Sequence, residues 1–151
     1  MIKLIKIFLI LIIVFIAVLF LLKACNRKKP NYRDITVGNK KLNVMIADNA
    51  FLREKGLSGR DYLLDNQGML FVFQKPGKYY FWMKGMKFPI DIIWFDKDKK
   101  IVDLKQNIKK DYKKLLKPNQ KVKYVLETNK GWLDKNNIKV GDQFKFLNNK
   151  D

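Results

Sequence analysis

The pattern of apolar and polar positions divides the chain into three stretches. Ile7–Leu22, "IFLILIIVFIAVLFLL", runs 16 residues without a charge, and extending it back to Ile2 meets only Lys3 and Lys6. At the helical rise the run covers about 24 Å and the extended span about 31 Å, near the thickness of a bilayer core. A helix apolar on every side for that length predicts a membrane segment over residues 1–24. Residues 25–34 then read as a basic linker around Pro30. From Ile35 onward the periodicity shortens. "KLNVMIAD" alternates Leu42, Val44 and Ile46 against Lys41 and Asn43, a half-buried strand. "GMLFVF" and "YYFWMK" are apolar on both faces, predicting buried strands joined by a turn at Pro76-Gly77. "PIDIIWF" and "KIVDL" flank "DKDK", a hairpin signal, and "VKYVLET" and "DQFKFL" supply the last strands. Two short helices interrupt them. "DNAFLREKGL" has Asp48 or Asn49 as cap and Gly56 as a left-handed terminator, with Leu57 folding back onto Leu52; "NKGWLDKNNI" ends near Asn137. The expected architecture for residues 35–151 is a mainly β, β-rich α+β domain. It would form a compact barrel or sandwich with two short helices, preceded by one transmembrane helix, and strands this closely spaced argue against parallel βαβ units.

Charge adds a setting. The chain carries 32 basic and 14 acidic side chains, a net charge of +18. Such a surface attracts anionic lipid or envelope glycan. Only Arg27, Arg33, Arg53 and Arg60 are arginines, and the remaining 28 basic residues are lysines. Base and phosphate recognition favours the arginine fork, so the balance argues against specific nucleic-acid binding.

Residue inventory removes several chemistries. Cys25 is the one cysteine and histidine is absent, which excludes a disulfide framework, Cys/His zinc sites and Ser-His or Cys-His catalysis. Met69, Met83 and Met86 do not make a soft-metal site, since the first two sit in apolar strand signals where core packing explains them. No metal, cofactor or catalytic residue is therefore assigned. "LKAC", Leu22–Cys25, has the outline of a bacterial lipoprotein signal with Cys25 as the lipidated residue, but Lys23 fits that pattern badly and a plain signal anchor is the alternative. Lys23, Arg27, Lys28, Lys29 and Arg33 follow the apolar run while only Lys3 and Lys6 precede it, a bias that would hold the main domain in the cytoplasm.

Four motifs together carry a family resemblance: "REKGLSGR", "GMLFVF", "FWMKGMKFPIDIIWFD" and "VKYVLETNKGWLDKNNIKVGD". In this order and spacing they resemble the DUF192 (UPF0127) family from about Leu42 to Phe146. The resemblance implies a small mostly-β domain, often behind a signal sequence or a single span, and no settled activity. It also implies an extracytoplasmic domain, against the charge count, and that setting is the one expected here. Arg53, Gly56 and Leu57 fit the family's first element; Gly68–Phe71 the second; Phe81–Lys84, Pro89 and Asp91 the third; Glu127, Gly131, Trp132, Gly141 and Asp142 the last. Two positions depart from it: Ser58 stands where the family usually has Met, and Gly85-Met86 where it has Asn-Thr.

Asp91 and Glu127 are the residues that ask for an explanation, because each is a carboxylate inside an apolar strand signal. On its strand Asp91 shares a face with Ile93 and Phe95, and Glu127 shares one with Val125 and Lys123. If the faces meet, the acids are costly unless paired, and Arg53 and Arg60 are available as bidentate partners. One reading is architectural, with ion pairs pinning the first helix to the sheet. Another is a pocket for a small polar ligand such as a sugar, formed by Arg53, Arg60, Trp82, Asp91, Glu127 and Trp132. A third is carboxylate-pair chemistry on a wall or glycan substrate. The leading expectation is a non-catalytic binding or accessory module at the cell envelope; a purely electrostatic membrane-surface module is the remaining alternative.

Overall fold

The computed structural model describes residues 2–25 and 31–147, with side chains described for 5–19 and 31–147. Residues 26–30 of the linker and the side chain of Cys25 lie outside the described residues. Two compact units are present, residues 1–30 and 31–151.

The first unit is helix α1, Ile2–Cys25. Its described side chains are exposed, Phe8 at 65% and Phe15 at 63% among them. The described side chains span 15 residues. Among the described residues no helix is long and apolar enough to cross a membrane.

The second unit is one curled seven-stranded sheet, a half-barrel, in the order β5-β4-β6-β3-β2-β1-β7. Its strands are β1 Tyr32–Val37, β2 Lys40–Ala47, β3 Gln67–Gly77, β4 Ile90–Phe95, β5 Ile101–Ile108, β6 Val122–Asn129 and β7 Phe144–Phe146. Short helices α2, Ala50–Lys55, and α3, Trp132–Lys135, complete it. The strand period of two sends alternate side chains into two separate cores. Val44, Ile46, Leu70, Ile93, Phe95 and Leu126 pack on one face with Trp132 and Leu133 of α3. Met45, Ala47, Met69, Phe71, Ile92, Trp94 and Val125 pack on the other with Leu57, Phe81 and Met83. A strand covered on both faces has no solvent side, which is why all six residues of β4, "IDIIWF", are buried and the run lacks polar alternation.

Several expectations are corrected by this arrangement. There is one sheet with two covered faces, not a sandwich of two. β2 and β3 pair in parallel around α2, a single βαβ crossover among otherwise antiparallel neighbours. The chain from Ala47 to Gln67 carries a helix and is long enough to return β3 beside β2 in the same direction. Tyr32–Asp34, read as linker, already belong to β1 and pair with Met45, Val44 and Asn43. The turn at Pro76-Gly77 does not form: β3 continues to Gly77, which pairs with Val122 across a bulge. "YYFWMK" is consequently not a strand. Only Phe81 makes a bridge, to Leu116. Phe81 and Met83 point inward while Tyr80 and Trp82 are exposed. The "DKDK" hairpin does form; Asp96 accepts from the backbone N–H of Asp98 and Lys100, both at 2.9 Å. Helix α2 is capped by Asn49, whose Oδ1 accepts from Leu52 N–H at 2.9 Å. It ends at Gly56 with φ 51° and ψ −139°, positive in φ but outside the left-handed helical region that was expected.

Candidate functional site

Glu127 occupies the middle of β6, flanked in register by Met69 of β3 and Ile92 of β4. It therefore faces the second core. Above it, α2 ends and the chain turns through Gly56, Leu57 and Ser58. The extended segment from Tyr79 to Met86 forms a further wall. Between these elements lies a cavity of about 190 Å³, with Glu127, Arg53, Phe71, Phe73, Tyr79 and Trp82 among its lining residues.

Glu127 is 5% exposed, and its buried Oε2 has no hydrogen-bond partner among the described residues. Burial alone, with no compensating cation, pushes the Glu127 carboxyl up to about 8. At neutral pH it is mostly protonated and can both donate and accept a hydrogen bond. Access over this oxygen depends on Gly56. A Cβ there would lie 3.6 Å from Phe71 Cζ and 4.0 Å from Glu127 Oε2.

The walls are aromatic and rigidly held. Arg53 donates from Nη1 to the Val72 carbonyl at 3.1 Å and lays its guanidinium over the Phe73 ring, 5.4 Å from the centroid. Phe73 stacks on Tyr79 with centroids 3.5 Å apart and planes within 7°. Tyr79 donates its hydroxyl to the Lys75 carbonyl at 2.6 Å. At the rim Trp82 is 48% exposed.

Of the six residues singled out from the sequence, the fold brings Arg53, Trp82 and Glu127 to this cavity. Arg60, Asp91 and Trp132 lie elsewhere. Asp91 and Glu127 sit on opposite faces of the sheet, so the two acids do not form a pair. Asp91 is fully buried, and its oxygens are both occupied: Oδ1 accepts from Asn107 N–H at 2.8 Å and Oδ2 from Leu133 N–H at 3.1 Å. The first bond holds a bulge in β5, where Asn107 takes φ 57°, and the second satisfies a free N–H in the first turn of α3. Trp132 is part of the first core. Arg60 contacts Met45 Sδ at 3.1 Å through Nη2. Among the described residues neither arginine makes an ion pair; the pairs present are Lys-Asp contacts at the surface.

Gly56, Phe73 and Tyr79 were not anticipated as pocket residues. No pattern in the sequence marked them: Gly56 reads as a helix terminator, and Phe73 and Tyr79 as residues of apolar strand signals. The two departures from the DUF192 pattern also meet. Ser58 donates its hydroxyl to the Lys84 carbonyl at 2.7 Å, and Gly59 N–H donates to the Gly85 carbonyl at 2.9 Å. Gly85 has φ 75°, and a Cβ on it would lie 3.3 Å from Ser58 Cβ.

A half-barrel sheet with these motifs identifies the class as a small mixed-sheet domain. The chain belongs to the DUF192 family, described as "Uncharacterized ACR", whose model matches residues 33–146. Two solved structures share the fold. A protein from Sinorhizobium meliloti 1021, provisionally described as a transcription regulator, is 24% identical with a TM-score of 0.76, over 80% of this chain and 98% of its own. A protein of unknown function from Novosphingobium aromaticivorans DSM 12444 is 25% identical with a TM-score of 0.73, over 81% and 96%. No curated protein matches the chain.

Proposed function

We propose that this DUF192 domain is a non-catalytic binding module, tethered to a membrane by Ile7–Leu22, and that its cavity takes a small polyhydroxylated molecule. The observation that carries the reading is the buried Glu127 Oε2, left without a partner at the foot of an aromatic-walled cavity. Fully buried polar atoms are nearly always satisfied, and an exception inside a cavity marks where a ligand's polar group would complete the network. A protonated carboxyl that donates and accepts suits a hydroxyl group, and the flat rings of Trp82 and Tyr79 suit the apolar face of a sugar.

The arrangement gives no support to a carboxylate-pair enzyme. Such chemistry needs two acids on one substrate, and Asp91 is on the other face with both oxygens engaged. Tethering is supported by the uncharged 16-residue run and by the all-round exposure of the described apolar side chains of α1. We assign the domain to the outer side of the cytoplasmic membrane, in line with the family's usual setting, and its lysine-rich surface would lie near anionic headgroups. Cys25 remains available either as a lipidation site or as part of a plain anchor.

Thermal unfolding of the full chain in neutral detergent, with and without a panel of neutral mono- and oligosaccharides, tests the pocket. A ligand that binds only the native state at one hundred times its Kd stabilises it by about 2.7 kcal/mol, several degrees in Tm. The expected result is such a shift for the wild type and its loss in Glu127→Leu, which keeps the volume and removes both hydrogen-bonding groups. A panel that moves neither protein, or moves both equally, removes the pocket reading.

A further inference from the structure

We infer that the lysines of the 84–87 loop and the 110–113 turn form a second subsite, joined to the Glu127 cavity through Trp82, and that the molecule bound across both is an acidic saccharide chain. The inference rests on the proposed pocket and adds the chemistry of what extends out of it.

The two lysine groups are far apart in sequence, and the fold brings them together. Phe81 and Leu116 exchange both backbone hydrogen bonds at 2.8 Å, which lays the 81–87 segment alongside 109–116. Between them is a groove of about 730 Å³ lined by Trp82, Lys84, Lys87, Lys110, Tyr112 and Lys113 and by one acid, Asp111. Lys87 is already committed to Asp61 at 2.7 Å. Among the described residues Lys84, Lys110 and Lys113 make no ion pair and share the groove with a single carboxylate, so it holds a positive potential. Trp82 lines this groove and the Glu127 cavity alike, and Met86 does the same, so the two concavities adjoin at these side chains.

Shape and chemistry narrow the occupant. A bilayer surface is flat and meets protruding side chains; this groove is concave and borders a cavity at Trp82, which suits a chain. An indole half exposed at the junction leaves an apolar face uncovered where the chain must pass. Lysine presents compact, separated charges without the bidentate fork of arginine, which fits carboxylates spaced along a polymer better than one clamped phosphate. The groove is also firmly built on one side. Ser58 and Gly59 hold the backbone of Lys84 and Gly85 through two hydrogen bonds.

The test uses the full chain in neutral detergent and follows tryptophan fluorescence. Trp94 and Trp132 are 1% and 7% exposed, so quenching by a ligand reports on Trp82. The probes are short oligogalacturonates and the same oligomers with their carboxylates methyl-esterified. The acidic oligomers should quench and bind about tenfold or more tighter than the esters at about 20 mM salt, an advantage that falls as salt rises. Lys84→Gln/Lys110→Gln/Lys113→Gln should abolish that advantage while leaving the affinity for the ester unchanged. Equal binding of acid and ester, no binding of the acid, or an unchanged triple variant overturns the inference. So does equal binding and quenching by oligothymidylate or by phosphatidylglycerol-containing vesicles, which would mark a general polyanion surface. Glu127→Leu, which removes both the donor and the acceptor, separates the two readings. It should weaken acid and ester together. If it weakens neither while the triple variant loses the acid preference, the lysine subsite stands and the Glu127 pocket does not.

Discussion

Asp91 and Glu127 are neighbours in the sheet, buried to 0% and 5% exposure, yet they have opposite fates. In register Asp91 lies across from Thr128 and Glu127 across from Ile92, one step apart on adjacent strands. That single step reverses the face. Asp91 enters the core beneath α3, where a bulge and a helix start each leave a backbone N–H pointing at it. Glu127 enters the face beneath α2, where its Oε2 meets no donor among the described residues. Burial of a carboxyl therefore does not distinguish architecture from site. What distinguishes them is whether the surrounding backbone supplies donors.

The largest effect expected from this contrast is at Asp91. Asp91→Ala strips the partner from the buried Leu133 N–H and the part-buried Asn107 N–H and leaves a cavity, so the chain should lose about 3–5 kcal/mol in urea unfolding. A loss below about 1 kcal/mol would mean the two bonds are not what holds the β5 bulge and α3 to the sheet.

Next is the pH response of Glu127. Its folded value of about 8 lies above the ordinary 4.5, so the folded state holds a proton that the unfolded state releases. Stability from this group is complete below about 4.5 and is lost as pH rises through about 8. The loss across that window should be on the order of 3–4 kcal/mol, and Glu127→Gln should flatten it. Equal slopes for wild type and variant would show that Glu127 is not the buried acid described here, and the contrast with Asp91 would collapse.

Much of this arrangement was readable beforehand, and the unreadable part has a physical cause. The alternation along "PIDIIWF" and "VKYVLET" correctly separates Asp91 with Ile93 and Phe95 from Ile92 and Trp94, and groups Glu127 with Val125. What alternation cannot give is the register between two strands. Pairing Ile92 with Glu127 rather than Asp91 with Glu127 is decided by long-range contacts, and it alone sets the two acids on different faces. The extended "YYFWMK" segment failed for a related reason. Its residues have strand propensity and an apolar run of strand length, but β6 has its two edges already taken by β3 and β4. The segment is left to cover a face, and that is how Trp82 comes to line a pocket rather than a core.

Gly56 bears on the open side of the comparison. Gly56→Ala should cost about 1–2 kcal/mol because its φ of 51° strains any L side chain. It should also reduce saccharide-induced stabilisation, since the new Cβ stands over Glu127 Oε2. A variant that melts lower yet responds fully to the ligand would disconnect Gly56 from access to the carboxyl.

The smallest expected effect concerns the rim, where Ser58 and Gly85 replace the family's usual Met and Asn. Their contact makes the two substitutions one event. A longer side chain at 58 loses the hydroxyl that holds the Lys84 carbonyl, and any side chain at 85 presses on the Cβ of residue 58 from 3.3 Å. Ser58→Met and Gly85→Asn, made singly and together, should therefore be non-additive by about 0.5–1 kcal/mol in a double-mutant cycle. The sign carries the information. A double variant more stable than the sum of the singles means the family's pair accommodates itself by moving the 84–86 loop, and Trp82 with it, so that cavities in other members would differ in width at the rim. Strict additivity would instead mean that this loop is held from elsewhere. The distinct rim would then be an accident of two independent positions, and only Glu127 and its aromatic walls would define the site on this face.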